Sequence, residues 1–416
     1  MSTLSPGTSI ASFDVKEIRK DFPILSRTVN GQPLVYLDNA ASSQKPEQVL
    51  KSMDHYYHTM HANVHRGVHQ LSQEATDAFE QARRRIAQFI GAPSESEVIF
   101  TRGTTESINL VAYTFGLSQL KEGDEIILSA LEHHSNIVPW QIVCGMKGAN
   151  IKVIPVFEDG TLDIEWLEKA ISTKTKLIAV AHVSNALGTI NPVEKIIQIA
   201  HQQGVPVLLD GAQATPHLAI DVSALDVDFY AFSSHKMYGP TGIGILFGKS
   251  SWLNTLPPWQ GGGEMIDEVK WSGTTYNKIP FKYEAGTPDM AGAIGLAAAC
   301  DYISSIERNG MAHHEHMLLK TCTDMMSGLT GITPIGQSPH KASVYSFNIK
   351  GLHPYDIGSI LDQQGIAVRT GHHCTQPLME RFQIPGTVRA SFAIYNTIEE
   401  VEKLYHATLR AIKILS

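Results

Sequence analysis

Ser233-Ser234-His235-Lys236-Met237-Tyr238-Gly239-Pro240 places a lysine where the apolar run 228–232 ends and a glycine-proline turn begins. A lysine there is aimed by the backbone on both sides of it. Upstream, Val205-Pro206-Val207-Leu208-Leu209 ends in Asp210, with Gln213 three positions on, so a carboxylate and an amide also lie at a strand end. A lysine amine can condense with the aldehyde of pyridoxal 5'-phosphate, and an aspartate can keep the cofactor's ring nitrogen protonated as an electron sink. A lone lysine would read as a surface charge; the Asp210 and Gln213 spacing argues instead for a pyridoxal phosphate site.

Strand-like runs at 97–101, 125–129, 151–156, 177–182, 205–210, 228–232 and 244–247 alternate with helical patterns. That alternation predicts a mostly parallel seven-stranded α/β sheet, whose ligands sit beyond the carboxyl ends of the strands. Thr101-Arg102-Gly103-Thr104-Thr105, His182, Asp210 and Ser233 all fall at such ends. From about Ala291 the pattern changes to a helix, then a strand at 344–349, a helix at 355–364, strands at 366–370 and 388–392, and a helix from Glu399, which predicts a smaller α+β domain. The Gly/Pro-rich stretch 257–263 reads as a loop or hairpin arm.

At 416 residues the chain can hold two cores. A net charge of −8 with no block of like charge argues against nucleic acid or an anionic membrane as partner, and no apolar run is long enough to span a bilayer. The four scattered cysteines, Cys144, Cys300, Cys322 and Cys374, suit a reducing compartment, so the expected location is cytoplasmic. Residues 1–12 are polar, lack a basic or apolar signal segment, and read as a flexible leader.

Gly103-Thr104-Thr105-Glu106 follows a strand and opens the helical run 107–115, which turns backbone N–H groups and hydroxyls toward an anion. Ser233 and His235 can close around the same phosphate. The glycines at 239–244 and Gly248-Lys249-Ser250 do not make a nucleotide motif: Ile243 stands where the phosphate loop needs glycine. In Arg369-Thr370-Gly371-His372-His373-Cys374, a cysteine beside an arginine and two imidazoles has surroundings that favour the nucleophilic thiolate, whereas the other three cysteines lie in apolar helical patterns. Zinc is the rival reading for this cluster, but adjacent histidines diverge and no CxxC companion exists, so no metal is expected. Arg389, at the start of an apolar strand, can grip a carboxylate with both of its arms.

With Asp210-x-x-Gln213, Ser233-x-His235-Lys236-x-x-Gly239-Pro240 and Arg369-x-Gly371-His372-His373-Cys374 in order, the chain from about Phe22 onward resembles the SufS-type, group II cysteine desulfurases, which are class V aminotransferase-like enzymes of pyridoxal phosphate fold type I. Tyr36-Leu37-Asp38-Asn39-Ala40-Ala41, His65-Arg66-Gly67, Glu132-His133-His134-Ser135-Asn136, His182-Val183-Ser184-Asn185 and Ala285-Gly286-Thr287-Pro288 extend the likeness. Ser234 departs from it, since many relatives carry glycine there.

The resemblance implies a flexible leader at 1–12, a segment at 13–34 packing with the small domain, a large cofactor-binding domain at 35–300 and a small domain at 301–416. It implies catalytic Lys236, Cys374 and His133, the last stacked on the cofactor ring. Asp210 and Gln213 would hold the ring nitrogen and phenolic oxygen, and Thr104, Thr105, Ser233 and His235 the phosphate. Thr287 would reach the phosphate of the other subunit of a homodimer. Asn185, Arg369, Arg389 and His65 would contact the substrate, L-cysteine. Its sulfur would pass as a Cys374 persulfide, shielded by a short turn, to a SufE- or SufU-type acceptor for iron–sulfur cluster assembly. A selenocysteine lyase or another β-lyase of this fold is the alternative within the class; a silent scaffold is the alternative outside it, and intact Lys236, Asp210 and Cys374 argue against that.

Overall fold

A computed structural model describes residues 13–416; the expected leader at 1–12 lies outside them. The large sheet has strands β1 (Val98–Thr101), β2 (Glu125–Ser129), β3 (Asn150–Ile154), β4 (Thr175–Ala181), β5 (Val207–Asp210), β6 (Phe229–Ser233) and β7 (Gly244–Gly248). Its order is β1-β7-β6-β5-β4-β2-β3. All pairings are parallel except those of β7, which runs antiparallel to both β1 and β6. The expected mixed α/β architecture with seven mostly parallel strands is therefore present.

These strands are apolar at nearly every position because both faces of the sheet are covered. Side chains alternate between faces, so Ile178, Val180, Val207, Leu209, Tyr230 and Phe232 join one core while Leu177, Ala179, Leu208, Phe229 and Ala231 join the other. The helix Thr104–Gln119 contributes Ile108, Val111, Ala112 and Phe115 to the second core. On the opposite side the Ala/Gly-rich helix Met290–Ser305, capped by Asp289, packs against helices Glu47–Thr59 and Gln70–Phe89. Its small side chains permit that close approach.

A second sheet, in the order β8-β9-β11-β10, is antiparallel throughout: β8 (Ile332–Ile335), β9 (Val344–Ile349), β10 (Arg369–Gly371) and β11 (Thr387–Ser391). The expected single strand at 366–370 is two. Ile366–Ala367 pairs in parallel with Val35–Tyr36, and past Val368 the chain changes partner to become β10. The exposed hairpin Ile266–Lys270/Gly273–Tyr276 follows directly on the Gly/Pro-rich stretch. The segment at 13–34 touches both halves. Arg19 pairs with Glu400 at 2.7 Å, and the Phe22 ring packs against Tyr238, Tyr302 and Tyr395.

Candidate active site

The carboxyl ends of the central strands open into a cavity of about 250 Å³, whose wall includes Lys236, Asp210, Gln213, His133, Cys374 and Arg389. Thr104, Thr105, Ser233, His235, Asn185 and Arg369 complete the set of expected residues gathered there. Two expected residues lie elsewhere. His65 faces Glu80, with Nε2 2.9 Å from Oε1. Thr287 lines a separate hollow with Arg102, Glu106 and Trp259.

Lys236 ends the single helical turn Ser234–Lys236 that opens the connection between antiparallel β6 and β7, with Gly239 N–H donating to the Ser234 carbonyl at 3.1 Å. Ser234 leaves little room at Gly239, where a Cβ would fall 2.1 Å from its Oγ. Burial pulls the Lys236 amine down to about 8, and nearby Asp210 opposes that fall. Asp210 at the end of β5 is itself buried, and burial raises its carboxyl above the ordinary value with Lys236 offsetting only part of the effect. Its Oδ1 accepts from Ala212 N–H at 3.0 Å, and the Gln213 amide donates to the Ala40 carbonyl at 2.6 Å.

Burial, reinforced by Lys236, His134 and Arg389, lowers His133 to about 3 and keeps it neutral. Its Nδ1 accepts from Ser135 N–H at 3.1 Å, which places the ring proton on Nε2. Behind it lies Glu132, pushed up to about 7 by burial and held by Ser129, Asn136 and the Ala181 N–H.

At the phosphate end, Ser233 Oγ accepts from Thr104 N–H at 2.8 Å and lies 2.7 Å from Thr104 Oγ1, at the N-terminus of the helix Thr104–Gln119. Gly103 has φ +149°, and a Cβ on Gly244 would sit 2.5 Å from Gly103 Cα, so glycines are required where β7 passes this loop.

Cys374 lies in the short link between β10 and the helix Gln376–Arg381. Both His373 and Cys374 are left-handed, with φ +51° and +57°. The turn is pinned by His134 N–H to the Cys374 carbonyl (2.8 Å), by Asn185 Nδ2 to the His373 carbonyl (2.7 Å), and by Cys374 N–H to His372 Nδ1 (3.1 Å). Cys374 is exposed, not shielded, within the single chain; Cys144, Cys300 and Cys322 are buried. Arg389 is buried and donates to the Asn185 carbonyl at 2.8 Å.

Asp38, a member of the Tyr36–Ala41 motif with no expected role at the site, contacts both site arginines. It ends the apolar run Leu34-Val35-Tyr36-Leu37, and a carboxylate closing such a run is the same signal that singled out Asp210. Glu132 carried no comparable signal.

The site offers a buried carboxylate short of compensating charge, a lysine amine of lowered basicity, and a helix N-terminus with hydroxyls. That donor set fits a cationic pyridine ring, an aldehyde and a phosphate.

The aminotransferase class-V family matches residues 35–404. A cysteine desulfurase of Shigella flexneri is 51% identical over 97% of this chain and 100% of its own length. A probable cysteine desulfurase of Halalkalibacterium halodurans is 52% identical over 93% of this chain and 95% of its own. Among solved structures, the cysteine desulfurase CsdA of Escherichia coli superposes with a TM-score of 0.90 at 39% identity, covering 97% of this chain and 99% of that one. The chain belongs to the class-V aminotransferases, a family of pyridoxal phosphate enzymes, and within them to the cysteine desulfurases.

Proposed function

We propose that the enzyme converts L-cysteine to L-alanine and carries the released sulfur as a persulfide on Cys374. The observation that supports this reading is the single cavity shared by Lys236, Asp210 and the exposed Cys374. Asp210 would pair with the cofactor ring nitrogen, Gln213 would hold the phenolic oxygen, His133 would cover the ring, and Thr104, Thr105, Ser233 and His235 would hold the phosphate. When bound, pyridoxal phosphate supplies the electron sink for charge developing at the substrate Cα.

Arg389 and Asn185 orient the substrate carboxylate, with Arg369 beside Cys374. Lys236 Nζ takes the Cα proton. Cys374 Sγ attacks the substrate sulfur, so an S–S bond forms as the C–S bond breaks, and the electron pair left on carbon takes up protons to give alanine. His65 takes no part in this scheme within one chain: it lies outside the cavity, held by its hydrogen bond to Glu80.

The persulfide passes to a SufE- or SufU-type acceptor for iron–sulfur cluster assembly, and exposure of Cys374 suits such a hand-over. The active unit is a homodimer in which Thr287 reaches the partner's phosphate site. The chain divides into a large domain at 35–300 and a small one at 301–416, a reading supported by the two larger sheets, while the short pairing of Val35–Tyr36 with Ile366–Ala367 crosses that boundary. The location is cytoplasmic, consistent with four unpaired cysteines; no described helix is long and apolar enough to cross a membrane.

Cys374→Ala should keep the yellow cofactor and its spectral response to L-cysteine, yet form neither alanine nor protein-bound persulfide. Full desulfurase activity in that variant would overturn the assignment.

A further inference from the structure

His133 caps the single turn His134–Asn136, and the rings of His133 and His134 diverge, with 6.2 Å between their centres. His133 lines the cavity and His134 does not. His134 turns instead to the segment that carries Cys374, and it holds that segment twice. Its N–H donates to the Cys374 carbonyl at 2.8 Å, and its Nε2 accepts from the Gln376 N–H at 3.1 Å. Among the described residues, these two hydrogen bonds are the ones that join 374–376 to the chain outside 372–381.

A backbone N–H can only donate, so Nε2 is unprotonated and the ring proton sits on Nδ1. Burial, and after it the neighbouring His372, lowers His134 below the ordinary imidazole value, which favours the neutral ring that this bond requires. The turn needs such holding. His373 and Cys374 are consecutive left-handed residues, a conformation that residues with side chains rarely adopt and that persists only where surrounding bonds fix it. The remaining bonds are internal, such as Cys374 N–H to His372 Nδ1, or stop at His373, where Asn185 and Thr387 attach. His372 moves with the turn and cannot anchor it.

We propose that His134 is a positioning residue for the nucleophile: its neutral ring clasps the chain just after Cys374 and so keeps Sγ at the cavity. His133 and the mount of Cys374 then hang on one piece of backbone, which fixes the spacing between them. This step rests on the reading that Cys374 is the nucleophile.

The test uses holoenzymes and follows visible cofactor absorbance, the dissociation constant of L-cysteine from its spectral shift, and the rate of alanine formation in the first turnover at saturating L-cysteine. His134→Leu removes the acceptor while keeping most of the bulk, and His134→Asn is too short to reach Gln376. Each should slow the first turnover about fivefold or more, the worth of one hydrogen bond, with absorbance and L-cysteine binding as in wild type. His134→Gln sets a carbonyl oxygen near the place of Nε2 and should restore the rate. If one truncation fails to fold, the other decides. A wild-type rate in the truncated enzymes, or a rate in His134→Gln as slow as theirs, overturns the proposal, and so does a slow rate matched by an equal loss of L-cysteine binding. Cys374→Ala alongside separates the two levels. Alanine formed there at the wild-type rate removes the nucleophile reading and this proposal with it; an inactive Cys374→Ala beside a fully active His134→Leu removes only the role of His134.

Discussion

Lys236 owes its lowered basicity to where the chain buries it. An amine at its ordinary 10.5 is neutral in roughly one molecule in three thousand at pH 7, whereas at about 8 the share is roughly one in ten. Only the neutral amine attacks an aldehyde. Capture of pyridoxal phosphate by cofactor-free protein should therefore accelerate as pH rises and level off above about 8, followed by the growth of the cofactor's visible absorbance. A rate still climbing steeply toward pH 10 would show that burial does not tune this lysine. Asp210 works in the opposite sense. Its carboxyl is raised by burial, with Lys236 and the Ala212 N–H offsetting only part of the effect, and a cationic ring nitrogen would restore the carboxylate form.

At the scale of elements, the site depends on how closely β7 passes the loop before the helix Thr104–Gln119. Gly244 has no room for a side chain: a Cβ would lie 2.5 Å from Gly103 Cα and 2.6 Å from the Phe232 carbonyl oxygen. Gly244→Ala should cost about 2–3 kcal/mol in urea unfolding, the usual scale of overpacking. It should also weaken cofactor retention, because Gly103 and the Thr104 N–H beside it must shift. Unchanged stability would mean that the strand can move aside freely.

The sequence made this architecture legible where apolar runs were continuous, and all seven expected strands of the large sheet are present. Lys236, Asp210 and Ser233 were legible for the same reason: each marks the end of such a run. Short elements left weaker traces. Ile332–Ile335 is only partly buried and contains Pro334, and Val35–Tyr36 is recognisable only once its partner at Ile366–Ala367 is known. The contacts of Asp38 were illegible because its arginines lie 331 and 351 residues away along the chain.

For the whole molecule, the proposed dimer makes a prediction that one chain cannot satisfy alone. Thr287 lies outside the cavity of its own chain, and the hairpin beyond the Gly/Pro-rich stretch exposes Val269, Trp271 and Tyr276. If Thr287 acts across the interface, mixed dimers of Lys236→Ala with Thr287→Ala chains contain one site with both residues intact. If it acts within its own chain they contain none. Cofactor affinity at the single lysine-bearing site of such mixed dimers should match wild type, and affinity as weak as in Thr287→Ala alone would place Thr287 in cis.

The antiparallel insertion of β7 has a mechanical meaning. A lysine on an ordinary crossover loop would be tethered on one side by a strand and on the other by a mobile connection. Here the connection between the two strands opens with the single turn Ser234–Lys236 and is tied back by Met237 N–H and Gly239 N–H to the Ser234 carbonyl and by Ser234 N–H to the Ile243 carbonyl, between strands bonded in register from Ser233 opposite Gly244 to Phe229 opposite Gly248. In the proposed reaction Lys236 would let go of the cofactor and later regain it. Its mount behaves as a beam clamped at both ends: the side chain can swing while its base returns to the same point after every cycle.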